Sequence, residues 1–121
     1  MTAADASRDL RAHFTGLANP TRLAILGLLS RREMAASELA RKLKLSQPLL
    51  SWHLRIMRRA SLIATRRSGR EVFCSVDRAA IRDFQHRFDQ FIGGSAAVAT
   101  LAEPDFAGVT ETENKEIANA V

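Results

Sequence analysis

Three kinds of residue in this 121-residue chain could do chemistry. The first is a run of cations. Arg41, Lys42, Lys44, Arg55, Arg58, Arg59, Arg66, Arg67 and Arg70 crowd positions 41–70, with no acid among them. Such a stripe raises the local potential and favours a polyanion such as nucleic acid, although a solvated basic face has the same composition. An anionic membrane surface suits it less, because turn residues and apolar positions interrupt it. The second is a set of nitrogen and oxygen donors: Asp83 and His86 lie three residues apart, and Asp89 follows. With His13 from a second copy of the chain they could hold a divalent metal such as nickel or zinc, or simply form a surface pattern. The third is Cys74, the single cysteine, which excludes an intrachain disulfide and any multi-cysteine cage. It reads as a small half-buried strand residue. Enzyme chemistry has the least support: there is no Gly-rich phosphate loop, no nucleophile with a plausible elbow and no paired carboxylates in a recognisable cleft.

These residues need a scaffold, and the charge distribution outlines one. The net charge is +5, yet residues 95–121 carry −4, which leaves +9 on the first 94. One domain over 1–94 and an acidic tail over 95–121 are expected. The tail is rich in Ala, Thr and Glu and reads as disordered, with at most a marginal helix near 111–119. No apolar run approaches the roughly 18–20 residues that cross a bilayer, and the N-terminus lacks the pattern of a secretory signal. A small, basic, cytoplasmic domain is the expectation.

Residues 8–18 read as a helix with Leu10, Phe14 and Leu17 on one face. Asn19 and Pro20 suit the cap and first position of a second helix to about residue 31, burying Leu23, Leu26, Leu28 and Leu29. Ser37 would cap a short third helix with Leu39, Ala40 and Leu43 inward. Ser46 would cap a fourth, with Leu50, Leu54 and Met57 as its buried stripe. Residues 37–59 thus make a helix-turn-helix candidate. The period then changes to that of strands over 62–67 and 70–76, joined by a Ser68-Gly69 turn, with Ile63, Val72 and Val76 facing the helices. Asp77 would cap a last helix over 78–92 that carries Ile81, Phe84, Phe88, Phe91 and Ile92 on one stripe. That stripe exceeds what a small core needs. Part of it reads as a dimer seam against a partner's first helix, the alternative being a plain core face.

The stretches LANPTRLAILGLL (17–29), SELARKLKLSQPLLSWHLRIMRRASLI (37–63) and RSGREVFCSV (67–76) resemble the ArsR/SmtB family of bacterial winged helix-turn-helix repressors. The likeness covers roughly residues 10–92. It implies a mainly α fold with a small β-hairpin wing, a homodimer formed through the first and last helices, and binding to a palindromic double-stranded operator with release by an inducer. Ser61 departs from the glycine that the family usually has before the first strand. Many relatives hold thiophilic metals with a Cys-x-Cys pair at the start of the third helix, where this chain has Met34 to Ala40 without a thiol. Others use Asp-x-His and His-x-x-Glu on the last helix; here the matching positions are Asp77, Ala79, Gln90 and Gly93. The resemblance therefore leaves the inducer open, whether metal, redox change, small molecule or a co-sensor protein.

The residues themselves support DNA binding. If Leu50, Leu54 and Met57 fix one side of the fourth helix, Gln47, Trp52 and Arg55 fall opposite, with Leu49 and Ser51 at the margins. An exposed Gln near a helix start can pair with adenine, Arg55 can reach guanine or phosphate, and Ser46 with the first-turn amides suits a phosphate. Trp52 would lie against sugars or a thymine methyl, or else pack on the wing. His53 sits near the core edge, where a structural hydrogen bond competes with a role at the DNA. Arg66, Arg67 and Arg70 would meet phosphates or the minor groove. A reading from a different class is a winged-helix interaction module, working with a separate sensor protein through its acidic tail.

Overall fold

The computed structural model describes residues 2–93, so the expected acidic tail lies outside them. Five helices and three short strands follow in the order α1 (Ala3–Leu17), α2 (Pro20–Leu29), β1 (Met34–Ala35), α3 (Ala36–Leu43), α4 (Gln47–Arg59), β2 (Ile63–Ser68), β3 (Glu71–Val76) and α5 (Arg78–Ile92). This is the mainly α architecture with a β-hairpin wing that the periodicities predict.

Local chemistry explains most boundaries. Asn19 accepts hydrogen bonds from the Thr21 and Arg22 amides, Ser46 accepts from Leu49 and Asp77 from Ala80, each starting a helix where expected. The first helix begins five residues earlier than its apolar spacing indicates, because Thr2 and Asp5 form a capping box around an Ala-rich first turn. Ser37 does not cap α3. The N-cap is Ala35, with no side-chain bond, and the chain is held there by the pairing of Met34 with Cys74 and Ala35 with Phe73. A two-residue strand leaves no periodicity to detect. Two turns rest on left-handed residues that are not glycine. Lys44 (φ 55°) closes α3, with the Leu45 amide on the Ala40 carbonyl; Ser61 (φ 60°) closes α4, with Leu62 on Met57.

The antiparallel sheet has the order β1-β3-β2. Ser68 pairs with Glu71, so the tight turn is Gly69-Arg70, one residue later than the sequence suggests, with Gly69 at φ 63°. Positive φ at the first central position alone fits a type II′ turn. Alternation along the hairpin then places Ile63, Thr65 and Arg67 with Val76, Cys74 and Val72 on the face toward the helices. Ala64, Arg66 and Ser68 share the other face with Ser75, Phe73 and Glu71.

The core closes between helices and sheet around Ile25, Leu39, Leu50, Met57, Leu62 and Cys74. On α2 the inward residues are Ile25 and Leu29; Leu26 and Leu28 are half-buried, while Leu23 is exposed, contrary to expectation. Cys74 is fully buried rather than half-buried. Gly16 lets α1 cross the end of α4 closely, since a Cβ there would stand 2.6 Å from that of Ala60.

Candidate nucleic-acid interface

Helix α4 has two sharply different sides. Leu50, Leu54 and Met57 are buried, whereas Gln47, Leu49, Ser51, Trp52 and Arg55 are exposed along with the cap Ser46. Anchoring by the apolar stripe gives the open side a fixed orientation without using any of its polar groups. A cleft of about 340 Å³ runs between this helix and the wing, lined among others by Gln47, Ser51, Arg58, Thr65 and Arg70. Arg58 was not singled out as a site residue from the sequence. Its signal was the spacing 47, 51, 54, 58, which makes one stripe facing the wing.

His53 lies inside. It is 5% exposed, and its Nδ1 stands 3.3 Å from the Arg22 guanidinium. This side chain therefore leaves the DNA-facing set and serves the interior. Burial first, and the Arg22 charge second, hold its pKa below the usual value. Trp52, next in line, is half open; its ring meets that of His53 edge-on at 4.9 Å, with the Arg22 guanidinium carbon 5.9 Å from its centre.

The three wing arginines part company. Arg66 lies on the outer face, where Nε donates to Glu33 at 3.2 Å, Nη2 donates to the same carboxylate, and the guanidinium sits 4.6 Å above the Phe73 ring. That hydrogen bonding draws the Glu33 carboxyl below its ordinary pKa. Arg67 occupies the opposite face at the exposed end of the hairpin, and Arg70 stands in the turn. Two adjacent arginines on a strand point in opposite directions, so they do not act as a pair.

The seam residues divide similarly. Leu10 and Phe84 are buried; Leu17, Ile81, Phe88 and Phe91 are half-buried, with Leu17 and Ile81 against the main core. Phe14 packs edge-on to Phe84 and Phe88, both at 5.3 Å, yet stays 43% exposed, and Ile92 at the end of α5 is more open still. The metal donors are largely engaged elsewhere. His13 is buried, its Nδ1 donates to the Ala60 carbonyl at 2.7 Å, and its ring stacks on Phe84. Burial lowers its pKa, assisted by Arg87 and opposed by the Ala60 bond. Asp83 pairs with Arg87, and no group of three or more His, Cys, Asp or Glu able to hold a metal occurs among the described residues. Burial also pushes the Cys74 thiol up to about 11, which keeps it protonated and a poor nucleophile. No helix among the described residues is long and apolar enough to cross a membrane.

Comparison with known proteins agrees with this geometry. The family described as Helix-turn-helix domain matches residues 17–66. The transcriptional repressor SdpR of Bacillus subtilis is 33% identical over 70 residues, which are 58% of this chain and 78% of that protein. A transcriptional repressor SmtB homolog of Synechocystis is 36% identical over 72 residues, 60% of this chain; the match spans only 54% of that relative's length. Among solved structures, a homodimeric winged helix-turn-helix DNA-binding domain of Mycobacterium bovis, described as a possible ArsR-family transcriptional regulator, superposes with a TM-score of 0.61. It is 25% identical, and the match covers 69% of this chain and 78% of that one. Two of these relatives are described as transcriptional repressors and the third as a possible transcriptional regulator. With the same winged architecture and a repressor relative matched over most of its own length, the chain belongs to the ArsR/SmtB family of winged helix-turn-helix transcriptional regulators.

Proposed function

We propose that the protein is a cytoplasmic, homodimeric repressor that binds a palindromic operator, with α4 in the major groove and the wing beside it. The observation that carries this reading is the exposed side of α4, where Gln47, Ser51 and Arg55 stand free of the core within an acid-free basic stretch. Amide, hydroxyl and guanidinium groups are the donors and acceptors that read base edges and phosphates. Ser46, Leu49 and Trp52 border that surface, and Arg58, Arg67 and Arg70 flank it across the cleft. A second copy packed on the open Phe14 and the outer part of α5 would supply the matching recognition helix.

The test is fluorescence anisotropy on a duplex that the protein enriches from a random-sequence pool, against a scrambled duplex of equal composition. A repressor prefers the enriched duplex by several kcal/mol, and its half-sites are separated by whole helical turns of about 34 Å. Equal affinity for both duplexes would leave only charge attraction and sink the reading. Repeating the titration with chelator, then with nickel or zinc, decides whether His13, Asp83 and His86 take part in release: affinity that does not respond to these metals removes them.

A further inference from the structure

Arg22 is a charged side chain kept inside the protein, 7% exposed. It has no carboxylate partner among the described residues. Its Nε donates to the Gly16 carbonyl at 2.9 Å and Nη2 donates to that of Thr15 at 3.0 Å. These are last-turn carbonyls of α1, at the negative end of the helix dipole, and they offset the cost of removing the cation from water. The remaining arm, Nη1, faces His53 Nδ1 at 3.3 Å. A guanidinium only donates, so His53 accepts at Nδ1 and carries its proton on Nε2. The planar fork reaches two helices at once, which a lysine ammonium cannot do with the same geometry.

His53 and Trp52 are neighbours on α4, the one turned inward to this fork and the other outward beside the base-reading side chains. Fixing the imidazole therefore adds a directional polar contact to the rotation that the apolar stripe gives α4, and the same guanidinium stands over the indole. Gly16 adds a second contact, its close approach to Ala60 at the far end of α4. The last turn of α1 is thus registered against α4 at two separated points.

We propose that Arg22 is a positioning residue for operator recognition, holding α4 and the Trp52 ring in register with the end of α1 through His53. This rests on the DNA-binding reading above. Trp52 is the only tryptophan, so its emission reports this junction alone. The experiment compares the full chain with Arg22→Lys, His53→Leu and His53→Asn, following Trp52 emission, thermal unfolding and the enriched-to-scrambled affinity ratio. Arg22→Lys and His53→Leu are expected to change the emission and lower the ratio roughly tenfold. His53→Asn, whose side-chain oxygen can stand where Nδ1 stands, restores most of both. A folded Arg22→Lys protein with unchanged emission and ratio overturns the proposal. Should Arg22→Lys fail to fold, the two His53 variants decide, and indistinguishable Leu and Asn proteins overturn it. Should the unaltered protein prefer no duplex, the DNA reading falls, while emission of the His53 variants still decides whether the fork holds Trp52.

Discussion

Gln47 opens α4 with its amide clear of the core, at the helix end that projects beyond the buried Leu50. Replacing it with Ala removes one hydrogen-bonding partner and nothing from the packing. The expected loss is about 1–3 kcal/mol of discrimination at a single base position, read by titrating duplexes substituted one pair at a time. An even loss across all positions would show that Gln47 touches the backbone instead. The two buried imidazoles make a different prediction. His13 and His53 both have pKa values below the usual 6.5, so the unfolded chain takes up protons more readily than the folded one. Their stability contribution is complete above about pH 6.5 and is lost as pH falls toward the lower folded values. Thermal midpoints should drop across that interval, before the exposed carboxylates of Asp5, Glu33 and Glu38 begin to titrate; a midpoint flat to about pH 5 would contradict it. At this scale the sequence was only partly legible. The spacing of Leu50, Leu54 and Met57 declares their burial. A guanidinium at position 22 looks like any surface cation until three acceptors from two helices converge on it.

At the scale of elements, the wing shows how the alternation of side chains along a strand alters an electrostatic argument. With Ile63 buried against the helices, Arg67 falls on that same side and Arg66 is turned to Glu33. Arg67→Ala should weaken binding to all duplexes and reduce the salt slope by about one unit. Arg66→Ala should change that slope less, because its charge is already matched. Glu33→Gln should release Arg66, raising affinity for every duplex and steepening the salt dependence. Equal slopes for the Arg66 and Arg67 variants would mean that Glu33 gives way to phosphate without cost. Side-chain signals read the helices well, through Asn19, Pro20, Ser46 and Asp77 as start marks. They failed where the backbone did the work: β1 is held by two ladder pairs, and the left-handed turns at Lys44 and Ser61 lack the glycine that would have announced them.

For the whole molecule, the aromatic stripe divides between an inner part and an open part. Phe84 and Leu10 are consumed internally, while Phe14 keeps nearly half its surface free on a helix of the expected seam. Phe14→Glu should therefore leave the helical content intact and shift the protein to monomers in sedimentation, with weakened operator binding; unchanged dimers would place the interface elsewhere. The sequence announced this excess of apolar surface but not its division, which depends on how α1 and α5 cross. The sheet carries one more consequence. Strand β1 reaches only Phe73 and Cys74, so the wing is three-stranded at mid-length and the segment beyond it, from Arg67 to Val72, is a bare two-stranded ribbon. Amide protons at Phe73 and Cys74 should exchange with deuterated solvent far more slowly than those nearer the tip. The hairpin would then behave as a compliant finger on a stiff knuckle, free to follow grooves of different width while the buried Cys74 beneath it stays still.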